Sequence, residues 1–145
     1  MSTHRVHVFI SHSWSYSGHY ETLASWIFDE KQSYGQASIE FHDYSVPRSH
    51  PIHNMSSDAE LRSAIYNQIM RSHVIVIPMG MYTHYSKWIR KEIDGASIYG
   101  KPILGVNPWG QLRTSSVVVQ AAAKTVGWNR GPVVNAIWDL YYRRS

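Results

Sequence analysis

Two hydrophobic rhythms alternate along this chain. RVHVFIS, Arg5 to Ser11, is a short β-branched and aromatic run that predicts a buried strand. A polar, Ser-rich loop follows, and ETLASWIFDE then carries Leu23, Trp26 and Ile27 at helical spacing. ASIEFHDYS, Ala37 to Ser45, predicts a second strand. The next stretch, VPRSHPIHNMSS, has two prolines and no period. A connection of that length in a compact domain is often functional. A helix follows: Ser57 and Glu60 form a capping signal, and Leu61, Ile65 and Ile69 give the apolar stripe.

HVIVIPMG is apolar on both faces, as a central parallel strand is. YSKWIRKEIDGASIYG predicts the next helix, with Ser86 as its N-cap and Gly100 at its end. KPILGVNPW predicts a fourth strand, with Asn107 beside Pro108 in the position of a turn former. Beyond it come a helical stretch near SSVVVQAAAK, a short strand at TVGWN, and a last amphipathic helix, PVVNAIWDLYY, whose Trp138 and Tyr141 read as packing residues. Alternating strands and helices predict a doubly wound, mainly parallel sheet of about five strands with helices on both faces, in one domain over residues 1–145. In such sheets a ligand sits beyond the carboxyl ends of the strands, where their order reverses. The loops bounding that crevice are then SHSWSYSG and MGMYTHYS, and the second leads into the helix that starts at Ser86.

Composition narrows the function classes. A chain of 145 residues with 43% hydrophobic and 17% charged residues is globular in kind. No apolar run approaches the roughly 20 residues that span a bilayer, and MSTHRVHVFI lacks a signal-peptide pattern. With no cysteine there is neither a disulfide framework nor a thiolate metal site, which suits a reducing cytoplasm. The net charge of +4 is mild and the basic residues form no stripe, so nucleic acid is not an expected partner, whereas a nucleotide is compatible. Six Trp and ten Tyr supply flat surfaces, some of them candidates to line a pocket for a planar ring.

Several chemistries are excluded by their missing motifs. Neither the dinucleotide-binding G-x-G-x-x-G nor the P-loop is present, and H-E-x-x-H is absent. His50 and His53 have metal-like spacing but stand in a loop without nearby carboxylates, so they read as solvated histidines and no metal is expected. A phosphoacceptor receiver needs clustered acids at the ends of the first and third strands, where this chain has Ile10-Ser11-His12 and Pro78-Met79-Gly80. Nine scattered histidines define no Ser-His-Asp triad.

One carboxylate is out of place. On the helix of YSKWIRKEID, Asp94 has Arg90 and Lys91 four and three residues back, where opposite charges pair. Glu92 has Trp88, Ile89, Gly95 and Ala96 at the corresponding positions, so it stands on the apolar stripe. Trp88 and Glu92 share a face, and Ser86 lies roughly 9 Å of helix rise away, so all three can border one cleft wall. A carboxylate in apolar surroundings has a costly charged form and an expected upward pKa shift, a property enriched at functional sites. The alternative is a slightly rotated helix from which Glu92 reaches solvent. Trp88 suits packing on the sheet better than stacking on a ligand ring, and Asp43 equally suits capping the loop that follows it.

HVFISHSW, HDYSVP, YSKWIRKEI, GKPILGVNPWG and VGWN…VVNAIW together resemble the bacterial TIR-like domains, close to the ThsB component of Thoeris antiphage defence. The resemblance runs through the chain in order, and its most specific part is W-x-x-x-E, Trp88 and Glu92, preceded by Ser86. It implies a flavodoxin-like TIR fold. It also implies an enzyme in which Glu92 is the catalytic residue, cleaving the nicotinamide–ribose bond of NAD⁺ to ADP-ribose or a cyclised ADP-ribose signal. Ser86 and Trp88 then belong to its motif, while Ser11, His12 and Asp43 border the NAD⁺ pocket. SVPRSHPIHNMS corresponds to a loop of self-assembly and gating. The first loop lacks an arginine, which gives phosphate contact to His12 or to a neighbouring subunit.

Further implications are NAD⁺ as substrate without a separate cofactor, self-association through TIR surfaces, a separate effector protein that senses the product, and a phage-derived trigger, with no nucleic acid and no membrane. Two rival functions remain: a non-catalytic TIR docking module, and another N-ribosyl hydrolase or transferase. The misplaced glutamate favours an enzyme, because a docking module has no need of it.

Overall fold

The computed structural model describes residues 2–11, 19–29, 32–34, 37–45, 58–78, 86–107 and 116–144. The strands are β1 (Ser2–Ile10), β2 (Gln32–Tyr34), β3 (Ala37–Asp43), β4 (Val74–Pro78), β5 (Ile103–Asn107) and β6 (Lys124–Gly127). The helices are α1 (His19–Phe28), α2 (Asp58–Met70), α3 (Ser86–Ile98), α4 (Ser116–Ala121) and α5 (Arg130–Arg144). The strands form one sheet in the order β2-β3-β1-β4-β5-β6. Five run parallel, as expected for this flavodoxin-like α/β fold; β2 is a short antiparallel edge strand, Gln32 opposite Ile39. Three polar-to-aromatic residues, QSY, carry no period, which is why β2 leaves no signature in the sequence.

Strand alternation sorts the core into two layers. Val6, Val8 and Ile10 of β1 point one way with Val74, Val76, Leu104 and Val106, against Leu23 and Ile27 of α1 and Val133 and Ile137 of α5. Phe9, Ile75, Ile77 and Ile103 point the other way, against Ile65 and Ile69 of α2, Ile89 and Ala96 of α3, and Val118 of α4. All five residues of β4 are buried, because helices cover both of its faces.

Local chemistry sets the helix ends. Gly100 takes φ 65°. The Lys101 N–H donates to the Ala96 carbonyl at 2.8 Å and the Gly100 N–H to Ser97 at 3.2 Å, a Schellman arrangement that stops α3 where glycine was expected to. Helix α5 starts two residues before Pro132, the Val133 N–H donating to the Asn129 carbonyl at 3.2 Å, and Pro132 sits in the first turn where its missing N–H costs nothing. Ser57, the expected cap of α2, lies outside the described residues. Among the described residues no helix is long and apolar enough to cross a membrane.

Candidate functional site

Strand order reverses between β1 and β4: the chain moves from β1 outward to β3, then crosses by α2 to β4 on the other side. A crevice above the carboxyl ends of these two strands is the ligand position of such sheets. Ser11 leaves β1 there; it is buried and its N–H donates to the Val76 carbonyl at 2.9 Å, continuing the β1–β4 ladder. His12 lies outside the described residues.

Glu92 is 0% exposed. Ile89, three residues before it, and Ala96, four after it, are buried in the layer between the sheet and α3, whereas Arg90, Asp94 and Ser97 are exposed and mark the outer face. Helical geometry therefore places Glu92 on the inner stripe, and the rotated helix that would send it into solvent is not the one formed. The inner stripe is also broader than the sequence implied. Lys91, expected beside Asp94 on the outer face, is only 8% exposed, so Arg90 alone of the two cations shares the exposed face with Asp94.

Close approach of α2 widens that stripe. A Cβ added to Gly95 would lie 3.0 Å from Tyr66 Cδ1 and 3.1 Å from Ile69 Cδ1, so the backbone of α3 packs directly on α2 side chains. Lys91 stands four residues before Gly95, on the side of α3 that turns toward α2. Ser86 and Trp88 fall in the first turn of α3; their side chains are not among those described.

Asp43 ends β3 and is exposed. Its Oδ1 accepts the Ser45 N–H at 2.9 Å, the turn-forming role weighed against ligand contact. The segment it shapes is fastened at several points. Ser45, 5% exposed, accepts the Ile10 N–H on its Oγ at 2.8 Å. Gln68 of α2 donates to the Ser45 carbonyl at 3.1 Å, and the Tyr44 N–H donates to the Val8 carbonyl at 2.8 Å. Ser45 and Gln68 thus tie the chain just past β3 to β1 and α2. Neither carries a local sequence signal, because the partners stand 23 to 35 residues apart.

The described aromatic rings mostly pack elsewhere. Trp26 and Trp128 meet edge to face at 5.2 Å, and Trp138 and Tyr141 lie against His4, on the α1–α5 side as expected for the last helix. At the start of β4, His73 and His7 interlock. The His7 N–H donates to His73 Nδ1 at 2.9 Å and the His73 N–H to the His7 carbonyl at 2.7 Å. Burial first, then repulsion from His7 and Lys101, lowers the His73 pKa from 6.5. The described residues contain no cluster of three or more metal-ligating side chains; His50 and His53 are outside them.

The sequence of residues 9–113, more than half of the chain, matches one family model, Thoeris protein ThsB, TIR-like domain. The chain belongs to the ThsB TIR-like domain family. The match runs from the last two residues of β1 through β5, and takes in Ser11, Asp43, Ser86, Trp88, Glu92 and Asn107 of this TIR-like domain. No curated protein matches it in sequence. Among solved structures, a crystal structure of a 3-dehydroquinate dehydratase-like protein from Bifidobacterium longum is similar at 14% identity and a TM-score of 0.43, covering 100% of this chain and 99% of that one.

Proposed function

We propose that this TIR-like domain is an NAD⁺ glycohydrolase or cyclase of Thoeris defence, with Glu92 as its catalytic carboxylate. The observation that carries the proposal is the complete burial of Glu92 on the inner stripe of the helix that follows β4. A cationic ligand beside a buried carboxylate is attracted strongly, because little water screens the pair. The pyridinium of NAD⁺ is such a ligand.

The chemistry suits one acidic group. The C1′–N1 bond breaks with its electron pair going to nicotinamide, which leaves neutral and needs no proton. The ribose becomes an oxocarbenium-like cation, as in glycoside cleavage, where carboxylates usually act in pairs. Here Glu92 stabilises that cation electrostatically, and exclusion of water strengthens its field. Water attacks C1′ and releases a proton to give ADP-ribose; a nucleophile within the same ADP-ribose gives a cyclic product. Ser11, His12, Asp43, Ser86 and Trp88 are assigned to the surrounding pocket. Self-association, a phage-derived trigger and a separate effector that reads the product complete the proposed pathway, set in the cytoplasm.

The test is chromatography and mass spectrometry of NAD⁺ incubated with concentrated protein, beside Glu92→Gln. Turnover is expected to fall on the order of 10²–10³-fold in the variant; undiminished turnover refutes the assignment. Deoxynucleosides offered in the same assay separate this enzyme from an N-deoxyribosyl transferase. A docking module is the second reading, and exposed Met70, Ile98 and Tyr99 at the ends of α2 and α3 favour it. It predicts no turnover at any protein concentration.

A further inference from the structure

Asn107 closes β5, one residue beyond the Pro78–Val106 pair, and so lies at the carboxyl edge of the sheet. Its face follows from its neighbours. Leu104 and Val106 belong to the α1–α5 layer and Ile103 to the α2–α3 layer, and strand alternation gives Asn107 the side of Ile103. Glu92 stands on the inner stripe of α3, which packs on that same side. Asn107 and Glu92 therefore project into one layer, from the sheet and from the helix that covers it.

The Oδ1 of Asn107 is sealed from solvent and has no hydrogen-bond partner among the described residues. Buried amide oxygens are nearly always paired, and leaving one unpaired is destabilising. A polar atom kept at that expense, at the edge where ligands bind in this fold, fits a group that is paired when ligand arrives. We propose that Asn107 is a substrate-positioning residue whose Oδ1 accepts a hydrogen bond from the nicotinamide riboside end of NAD⁺. This inference rests on the NAD⁺ reading above. Two donors at that end share the required chemistry, a ribose hydroxyl and the N–H of the carboxamide.

A substitution with opposite effects on stability and binding tests it. Asn107→Leu keeps the side-chain size and removes the polar atoms. Its melting temperature without ligand is expected to equal or exceed that of the wild type, since no unpaired oxygen remains. Its affinity for NAD⁺, from the ligand-induced thermal shift over a concentration series, is expected to be about tenfold weaker. An NAD⁺ analogue with 3-acetylpyridine in place of nicotinamide lacks the carboxamide N–H. If the wild type prefers NAD⁺ over it and the variant does not, the carboxamide is the donor; if both prefer NAD⁺ equally while the variant is weaker, the ribose hydroxyl is. A variant that melts lower without ligand makes Asn107 a structural turn residue and overturns the inference. So does an unchanged affinity, and in that case the NAD⁺ reading stands. A wild type that neither binds nor cleaves NAD⁺ overturns both.

Discussion

Gly95→Ala puts the packing of α3 to a quantitative test. Inside a helix, alanine is favoured over glycine by about 1 kcal/mol, so an exposed glycine would give a more stable variant. Gly95 is buried, and the new Cβ would meet Tyr66 Cδ1 at 3.0 Å, Ile69 Cδ1 at 3.1 Å and Tyr66 Cε1 at 3.1 Å. Carbon atoms pack best at about 3.5–4.0 Å, so each contact is short by roughly half an ångström or more. Overpacking of this size costs about 1–3 kcal/mol. The clashing atoms are the edge of a ring and the end of a flexible chain, which places the cost in the lower half of that range. The net expectation is a loss of up to about 1 kcal/mol, or at most roughly 3–4 °C in Tm for a chain of this size. Calorimetry or urea unfolding measures it. Ile69→Val removes the Ile69 Cδ1 atom, so its destabilisation is expected to shrink in the Gly95→Ala background, a coupling that a double-mutant cycle reads directly. A stabilised Gly95→Ala protein, or strict additivity with Ile69→Val, refutes the close α2–α3 contact and the wide buried stripe that it creates around Lys91 and Glu92.

Three other substitutions test the interior. Glu92→Gln exchanges a buried carboxylate for a neutral amide of the same size, so NAD⁺ turnover is expected to fall while the fold is kept; circular dichroism and melting curves check that the loss of turnover is not unfolding. Ser45→Ala takes the acceptor from the buried Ile10 N–H and is expected to cost about 1–3 kcal/mol in urea unfolding. His73 accepts the His7 N–H on Nδ1 and must be neutral to do so. Because its pKa is lowered in the fold, its contribution to stability is complete above 6.5, the ordinary value, and is lost as pH falls from there through the lowered one. His73→Asn offers an oxygen acceptor that does not titrate, so the fall in stability between about pH 7 and pH 5 is expected to be shallower than in the wild type. Identical slopes would remove His73 from the account.

Much of this fold was legible along the chain. Uninterrupted runs such as VIVIP, and helices with apolar residues three and four apart, predicted the parallel strands and the helices that cover them, since each element must bury its own apolar face. Glycine at the end of α3 and Glu92 on its apolar side were readable for the same local reason. The width of the buried stripe was not. Lys91 is inside on the side of α3 that carries Gly95, and Gly95 packs directly on side chains of another helix. The fastening of Ser45 to Ile10 and the interlock of His7 with His73 join residues 35 and 66 positions apart, where no periodicity extends. So the sequence by itself determined the kind of sheet and the face on which its unusual carboxylate stands, because those follow from local period. Only the packing of helix on helix and strand beside strand decided that this face, with Asn107 on the same side of the sheet, is closed to water.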